Sequence, residues 1–60
     1  MTELLKREVN NNLTAVCLLD RDGGIYEVSV NKDRLWESYS KEFDYIGDAY
    51  DFFDWALENE

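Results

Sequence analysis

The sequence predicts an α+β domain in which an antiparallel β-hairpin or small sheet is covered by two C-terminal helices. An Asp-Gly turn joins two short apolar runs in the first half of the chain. In the second half, aromatic residues recur at helical spacing. A lone hairpin is barely stable in water, so its apolar face must be covered, and the aromatic helices are the available cover. The 60 residues make one small domain, 1–60.

The N-terminal segment 2–9 is compatible with two structures. Thr2 is an acceptable N-cap for a short helix, and apolar side chains recur at a spacing of four at Met1, Leu5 and Val9. Eight residues are marginal as a helix without tertiary support, and an added strand is the alternative. The polar residues that follow, Asn10, Asn11 and Asn12, indicate a break between elements.

Residues 13–20 and 25–31 are predicted to be the two strands of the hairpin. Asp22-Gly23 between them favours a two-residue type I′ turn, in which both central residues take positive φ. In that register Leu19 faces Tyr26. The predicted apolar face then consists of Ala15, Cys17, Leu19, Tyr26, Val28 and Val30.

The alternative turn at Gly23-Gly24 is less favourable, because it places Asp20 opposite Glu27 and like charges across a ladder are destabilising. The lone Cys17 is predicted to be a buried small hydrophobe. A single thiol excludes an internal disulfide and fits a reducing cytoplasm.

Two helices are expected after the hairpin. The first is capped by Asn31 and ends near Phe43, with an apolar stripe at Leu35, Trp36, Tyr39 and Phe43. Gly47 interrupts the pattern, and 44–47 is either a turn or a weak helix start. Asp48 is a good N-cap for the second helix. The predicted core side of that helix consists of Ile46, Ala49, Tyr50, Phe53, Ala56 and Leu57.

Charge is distributed unevenly along the chain. The last 19 residues carry seven acidic residues and no basic one, within a total net charge of −8. They also hold six of the nine aromatic residues, which is unlike a disordered acidic tail. This strongly negative balance disfavours nucleic acid and anionic membrane as direct ligands and favours a basic protein surface as partner.

On a helical wheel, the acidic residues of this segment gather on about one third of the circumference. Like charges at this spacing cost stability, and a helix optimised for stability alone would interleave lysine. A solvated face that keeps a small protein soluble is one interpretation, and a row that binds an Arg- and Lys-lined groove is the other. The row consists of Asp44, Asp48, Asp51, Asp54 and Glu58.

Trp55 lies among these carboxylates on the wheel, and Phe52 flanks their boundary. An exposed tryptophan ringed by charge is typical of an interface anchor. Packing of Trp55 against the first helix or a dimer partner is the alternative. Because so small a chain needs support for its core, we also expect a homodimer.

No pattern for catalysis or cofactor binding is apparent. The chain has no histidine, no nucleophile motif and neither of the common glycine-rich phosphate loops, so we expect no enzymatic activity and no cofactor. One cysteine without histidine disfavours a structural metal site. No signal peptide opens the chain and no apolar run approaches the ~20 residues of a membrane span. We therefore expect a cytoplasmic location.

In its small size, its hairpin turn Asp22-Gly23-Gly24 and its acidic aromatic end DYIGDAYDFFDWALENE, the chain resembles the small acidic proteins with which bacteriophages block host enzymes. These include anti-CRISPR proteins and inhibitors of uracil-DNA glycosylase, nucleases or RNA polymerase. The layout is similar to that of the smallest phage glycosylase inhibitors, which act as dimers mimicking DNA. The resemblance implies the host bacterial cytoplasm.

The expected function is therefore an acidic inhibitor that occupies the basic nucleic-acid-binding groove of a host enzyme or immune effector complex as a DNA mimic. The alternative is a protein–protein interaction module, adaptor or antitoxin-like, that binds through exposed aromatic residues. The predicted binding residues are Asp44, Asp48, Asp51, Phe52, Asp54, Trp55 and Glu58.

Overall fold

The computed structural model describes residues 2–32 and 37–60. They form one four-stranded antiparallel sheet, with the strands side by side in chain order, followed by a helix. The elements are β1 (Glu3–Val9), β2 (Thr14–Asp20), β3 (Tyr26–Lys32), β4 (Glu37–Phe43) and α1 (Ile46–Asn59).

The prediction of two C-terminal helices is wrong, because the described residues of the first one lie in strands. Asn31 belongs to β3 and does not cap a helix, and Tyr39 and Phe43 lie on β4. Residues four apart lie on the same face of a helix and also on the same face of a strand. The spacing of Tyr39 and Phe43 therefore could not distinguish a helix from a strand. Leu35 and Trp36 lie outside the described residues. For 2–9, the strand alternative is the correct one.

The hairpin between β2 and β3 has a longer loop than predicted. Asp20 pairs with Tyr26, and the backbone N–H of Arg21 donates to the carbonyl of Ile25 at 2.9 Å. The loop thus has three residues, all with positive φ: Asp22 at 56°, Gly23 at 70° and Gly24 at 78°. Two glycines suit this loop because glycine meets no Cβ penalty at positive φ.

The longer loop shifts the register by one residue and exchanges the two faces of β2. Leu19 faces Glu27, and Leu18 faces Val28. Neither register considered from the sequence is present. Because side chains alternate along a strand, a shift of one residue moves a whole set to the other face.

The core lies between one face of the sheet, here called the covered face, and α1. Ala49, Phe53 and Ala56 are the buried residues of α1, as predicted, whereas Tyr50 is 39% exposed and Ile46 and Leu57 are half-buried. The buried sheet residues are Val16, Leu18, Val28 and Val30, with Thr14 beside them.

The opposite face of the sheet, here called the open face, carries the residues wrongly predicted for the core. Ala15, Cys17 and Leu19 of β2 are only half-buried there. Their partners on β3 are the polar Asn31, Ser29 and Glu27. Among the described residues, no helix or second sheet lies on this face.

Asn10 organises the turn between β1 and β2 and ties it to the helix. Its side-chain oxygen accepts the backbone N–H groups of Asn12 at 2.9 Å and Thr14 at 3.0 Å. Its amide nitrogen donates to the carbonyl of Leu57 at 3.2 Å. The polar break predicted at 10–12 is thus confirmed, and it also satisfies an otherwise orphan carbonyl in the last turn of α1.

The helix begins two residues before the predicted cap. Tyr45 is the N-cap residue and has extended backbone angles, but it makes no capping side-chain hydrogen bond. Asp48 lies in the first turn of α1, where the helix dipole favours an acid. Ile46 and Gly47 are therefore helical. Within the described residues, no helix is long and apolar enough to span a membrane.

Candidate partner-binding surface

The side of α1 that faces away from the sheet carries four exposed acidic residues. Their spacings of three, three and four keep them together, opposite the buried Ala49, Phe53 and Ala56. Successive members are about 5 Å apart along the helix axis. We call this set the acidic row, and it consists of Asp48, Asp51, Asp54 and Glu58.

Asp44, the fifth predicted member, is exposed but does not lie on the helix. It belongs to the bend between β4 and α1. There it lines a shallow depression of about 410 Å³ together with Ile25, Glu42 and Phe43. The structure therefore separates Asp44 from the acidic row.

Basic side chains of the described residues form their ion pairs away from the acidic row. Arg21 lies 3.1 Å from Glu27 and 3.4 Å from Glu42, across the open face. Lys32 lies 3.1 Å from Glu60. Within residues 2–32 and 37–60, no ion pair joins a member of the row to a base. The row is thus a patch of one sign, whose field extends into solvent.

The acidic row does not serve the stability of its own helix. Asp48 interacts favourably with the positive end of the helix dipole, but Glu58 stands at the negative end, and the last turn contains no basic residue. Like charges three or four residues apart cost a few tenths of a kcal/mol per pair. Helix stability alone would favour lysine at one or two of these positions.

An aromatic cluster borders the acidic row on the side of β4. The Trp55 ring stacks on Phe52, with centroids 5.5 Å apart and planes 17° apart. Phe52 also contacts Phe43 at 5.6 Å and meets Tyr39 edge-on at 6.5 Å. We call Tyr39, Phe43, Phe52 and Trp55 the aromatic cluster.

Within the aromatic cluster, the side chain nearest the acidic row is the most exposed. Phe52 and Phe43 are half-buried, whereas Trp55 is 48% exposed beside the acidic row. Packing of Trp55 on the predicted first helix is excluded, since Tyr39 and Phe43, which that prediction placed on the helix, lie on β4. The indole of Trp55 therefore stacks on Phe52 with one face and is accessible to a partner on the other.

Several lysines of the described residues lie over aromatic rings of the covered side. The Lys41 ammonium is 5.5 Å from the ring centroids of both Phe43 and Phe52. Lys6 lies 5.1 Å from the ring of Phe53. Such cation–π contacts are worth about 0.5–1 kcal/mol at exposed sites. They place positive charge on the flanks of α1 and leave its outer side acidic.

The end of α1 is fastened to the sheet through Glu60. Its carboxylate accepts a hydrogen bond from the hydroxyl of Tyr39 and pairs with Lys32. Burial, followed by the hydrogen bond to Glu60, raises the pKa of Tyr39 to about 12. The hydrogen bonds from Tyr39 and Lys32 hold the pKa of Glu60 below its ordinary value. This contact fixes the C-terminal end of the acidic row relative to β4.

The chemistry offered by this surface is that of recognition. The acidic row presents carboxylate oxygens as acceptors for Arg and Lys donors, which form charge-assisted hydrogen bonds. Trp55 and Phe52 add an apolar, stacking surface at its border. Within the described part of the chain, no three metal-ligating side chains converge.

The contribution of β4 to this surface was not foreseen from the sequence. Tyr39, Lys41 and Phe43 all point to the covered side, with serine or glutamate between them pointing to the open face. That two-residue alternation, in ESYSKEF, was the available signal for a strand. The four-residue spacing of the two aromatic residues obscured it.

Comparisons of this chain with protein-family models, curated proteins and solved structures found no match.

Proposed function

We propose that this protein is an acidic inhibitor that binds the basic nucleic-acid-binding groove of a host enzyme or immune effector complex and acts there as a DNA mimic. The observation that carries the proposal is the acidic row, four exposed carboxylates on one side of α1 without a basic partner among the described residues. The resemblance to small phage-encoded inhibitors points to the host bacterial cytoplasm as the place of action.

The spacing of the row supports this function. Carboxylates about 5 Å apart along a helix approximate the phosphates of one DNA strand, which follow one another at about 3.4 Å along the duplex axis. An Arg- and Lys-lined groove contacts phosphates chiefly through charge, so approximate spacing suffices. Such a field also accelerates association and makes it sensitive to salt.

The direct test is a pull-down from bacterial lysate with the full chain at about 50 and about 500 mM salt, since phosphate-like contacts weaken steeply with salt. The variant D51N/D54N removes two central charges from the row. E3Q/E8Q is the matched control, because it removes two exposed charges from β1. Circular dichroism establishes that both variants fold.

We expect a nucleic-acid-binding protein that is retained at low salt and released by high salt or by competing duplex DNA. D51N/D54N is expected to lose this partner and E3Q/E8Q to keep it. A partner that binds D51N/D54N as well as the native chain contradicts DNA mimicry.

The alternative function, a protein–protein interaction module using aromatic residues, rests on the exposed indole of Trp55 stacked on Phe52. Aromatic anchors in an interface often carry several kcal/mol of binding energy. In this case W55A abolishes retention, D51N/D54N preserves it, and the complex survives high salt. The two functions therefore predict opposite results for D51N/D54N.

A further inference from the structure

The two edges of the sheet differ in how well they are protected. β1 has a register irregularity between Leu4 and Lys6, and such bulges hinder pairing with another strand. β4 pairs residue by residue with β3 along its whole length, from Glu37 to Phe43. On its outer side, no strand of the described residues lies beside it. β4 is therefore the edge that is competent to bind a further strand.

We propose that β4 pairs antiparallel with β4 of a second copy of this chain, in a register centred on Tyr39. This inference is independent of the proposed inhibitory function. It identifies a surface and an occupant, and the occupant is argued from the sequence of β4 itself.

A two-fold axis perpendicular to the sheet permits only registers in which one residue of β4 faces its own copy. In the register centred on Tyr39, Glu37 of each chain faces Lys41 of the other, and Ser38 faces Ser40. The two Tyr39 residues face each other. Opposite charges, paired hydroxyls and paired aromatic residues are all favourable cross-strand neighbours. Symmetry makes each Glu37–Lys41 pair occur twice.

The other symmetric registers are less favourable. Centring on Lys41 or Glu42 places like charges directly opposite each other, which is destabilising. Centring on Ser40 pairs Tyr39 with Lys41 and creates no pair of opposite charge. Centres nearer the ends of the strand, such as Ser38, leave too few described residues in the ladder. The charge pattern of β4 therefore selects the register centred on Tyr39.

The two charged residues of this register have no ionic partner within the part of the chain that the structure describes. Among the described residues, neither Glu37 nor Lys41 belongs to an ion pair. Lys41 is a residue type that protects sheet edges from pairing when its charge stays uncompensated. Glu37 of the second copy would compensate it on the covered side, where both side chains lie.

The aromatic cluster gives the same edge an apolar border. Tyr39 is 38% exposed and Trp55 is 48% exposed, and both are linked through Phe52 on the β4 side of α1. The perpendicular two-fold axis places both helices on the same side of an eight-stranded sheet. The two aromatic clusters then meet across the axis and bury surface that one chain leaves in water.

The test uses charge variants of the full chain in sedimentation equilibrium from about 1 to 500 μM, the range in which weak homodimers dissociate. E37K places lysine opposite Lys41, and K41E places glutamate opposite Glu37. Each change replaces two attractive pairs by two repulsive ones, so we expect a dissociation constant raised roughly tenfold or more. E3K is the control for net charge, because it alters an exposed glutamate on β1.

Mixing the two variants gives the decisive result. In a mixed dimer, the two lysines of the E37K chain face the two glutamates of the K41E chain, so we expect a heterodimer from two chains that are each monomeric. The double variant E37K/K41E is expected to regain the native self-association. E37K reduces the net negative charge of the chain. If general charge repulsion limited the dimer, E37K would strengthen self-association, whereas the proposed register predicts that E37K weakens it.

A native chain that stays monomeric up to the highest concentration overturns the proposal and leaves the β4 edge to an extended segment of another protein. A dimer that is unaffected by E37K and K41E overturns it as well, because self-association then uses another surface. Circular dichroism of each variant separates loss of pairing from loss of folding.

Discussion

The two faces of the sheet are built from neighbouring residues of the same strand but have different surroundings. On the covered face, Val16 and Leu18 are fully buried beneath α1. On the open face, Cys17 and Leu19 are only half-buried and face Ser29 and Glu27. The run from Ala15 to Leu19 is apolar throughout, so composition does not distinguish the faces. The hairpin loop does, because its length decides which residues point toward α1.

The largest expected difference in the free energy of unfolding is between alanine substitutions at two adjacent leucines. Leu18→Ala removes a fully buried side chain and is expected to cost about 2–5 kcal/mol. A 60-residue domain has a total stability of only about 3–9 kcal/mol, so this variant will be largely or partly unfolded. Leu19→Ala on the open face is expected to cost less than about 1.5 kcal/mol. Urea denaturation followed by circular dichroism compares the two.

An equal or larger loss for Leu19→Ala would contradict the observed register and support the one with Leu19 in the core. The variant Leu19→Ser is a useful companion. On a face without cover it should be tolerated nearly as well as alanine, whereas an unpartnered hydroxyl in a core costs substantially more.

Part of the fold was predictable from residue pattern alone. The hairpin of β2 and β3, the break at Asn10 and the buried side of α1 follow from turn chemistry and periodicity. The register was not predictable, since Asp22, Gly23 and Gly24 allow a loop of two residues or three. The loop length selects the face of β2 that packs against α1, and the three loop residues alone do not fix that length.

The candidate surface was predictable in part. The alignment of Asp48, Asp51, Asp54 and Glu58 needs only the helical period, and all four are exposed as a helical wheel requires. The wheel could not find Tyr39 or Lys41, because they come from β4 and reach α1 only through the fold. Asp44 belongs to the row only if the helix extends to it, and α1 starts at Ile46, after a bend.

The second prediction concerns the loop that sets the register. Gly24 has a φ of 78°, so Gly24→Ala is expected to cost about 1–2 kcal/mol through backbone strain, although nothing surrounds the new methyl group. Gly47→Ala is the comparison. Its methyl group would lie 2.6 Å from the ring of Tyr45, but that ring is 64% exposed and can move aside.

Because alanine favours helices over glycine by about 1 kcal/mol, Gly47→Ala should be neutral or slightly stabilising. Thermal melts of both variants measure the difference. A stable Gly24→Ala variant would mean that the loop adopts another conformation, and hence that the two faces of β2 are less firmly distinguished than the structure indicates.

A smaller effect is expected at the contact that fastens α1 over the covered face. The pKa of Tyr39 is raised from 10.0 to about 12, which means that folding favours its neutral form. The stabilisation is therefore fully present below pH 10 and is lost as the pH rises toward 12. Tyr39→Phe keeps the ring beside Phe52 but has no proton to lose, so its unfolding free energy should fall less over this range.

Stability at acidic pH tests the same contact through its other member, Glu60. The pKa of Glu60 is held low by Tyr39 and Lys32, so its stabilisation is present at neutral pH and is lost as the pH falls through the folded-state pKa. In Glu60→Gln, the free energy of unfolding should therefore decrease less as the pH falls. Parallel curves for the native chain and both variants would show that the contact does not hold the helix end.

The smallest change in stability is expected when a thiol is moved between the faces. Cys17 is half-buried on the open face, so we expect it to react with Ellman's reagent in the folded protein. In the double variant V16C/C17S the only thiol lies where Val16 is 0% exposed, beneath α1. That thiol can react only when the sheet and helix separate, and its labelling should be about 100-fold slower or more, since core positions open with free energies near that of global unfolding.

Both substitutions nearly conserve side-chain volume, so the free energy of unfolding measured in urea should change little. Similar labelling rates for the two thiols would mean that α1 does not protect the covered face, and the distinction between the faces would then be one of pairing alone.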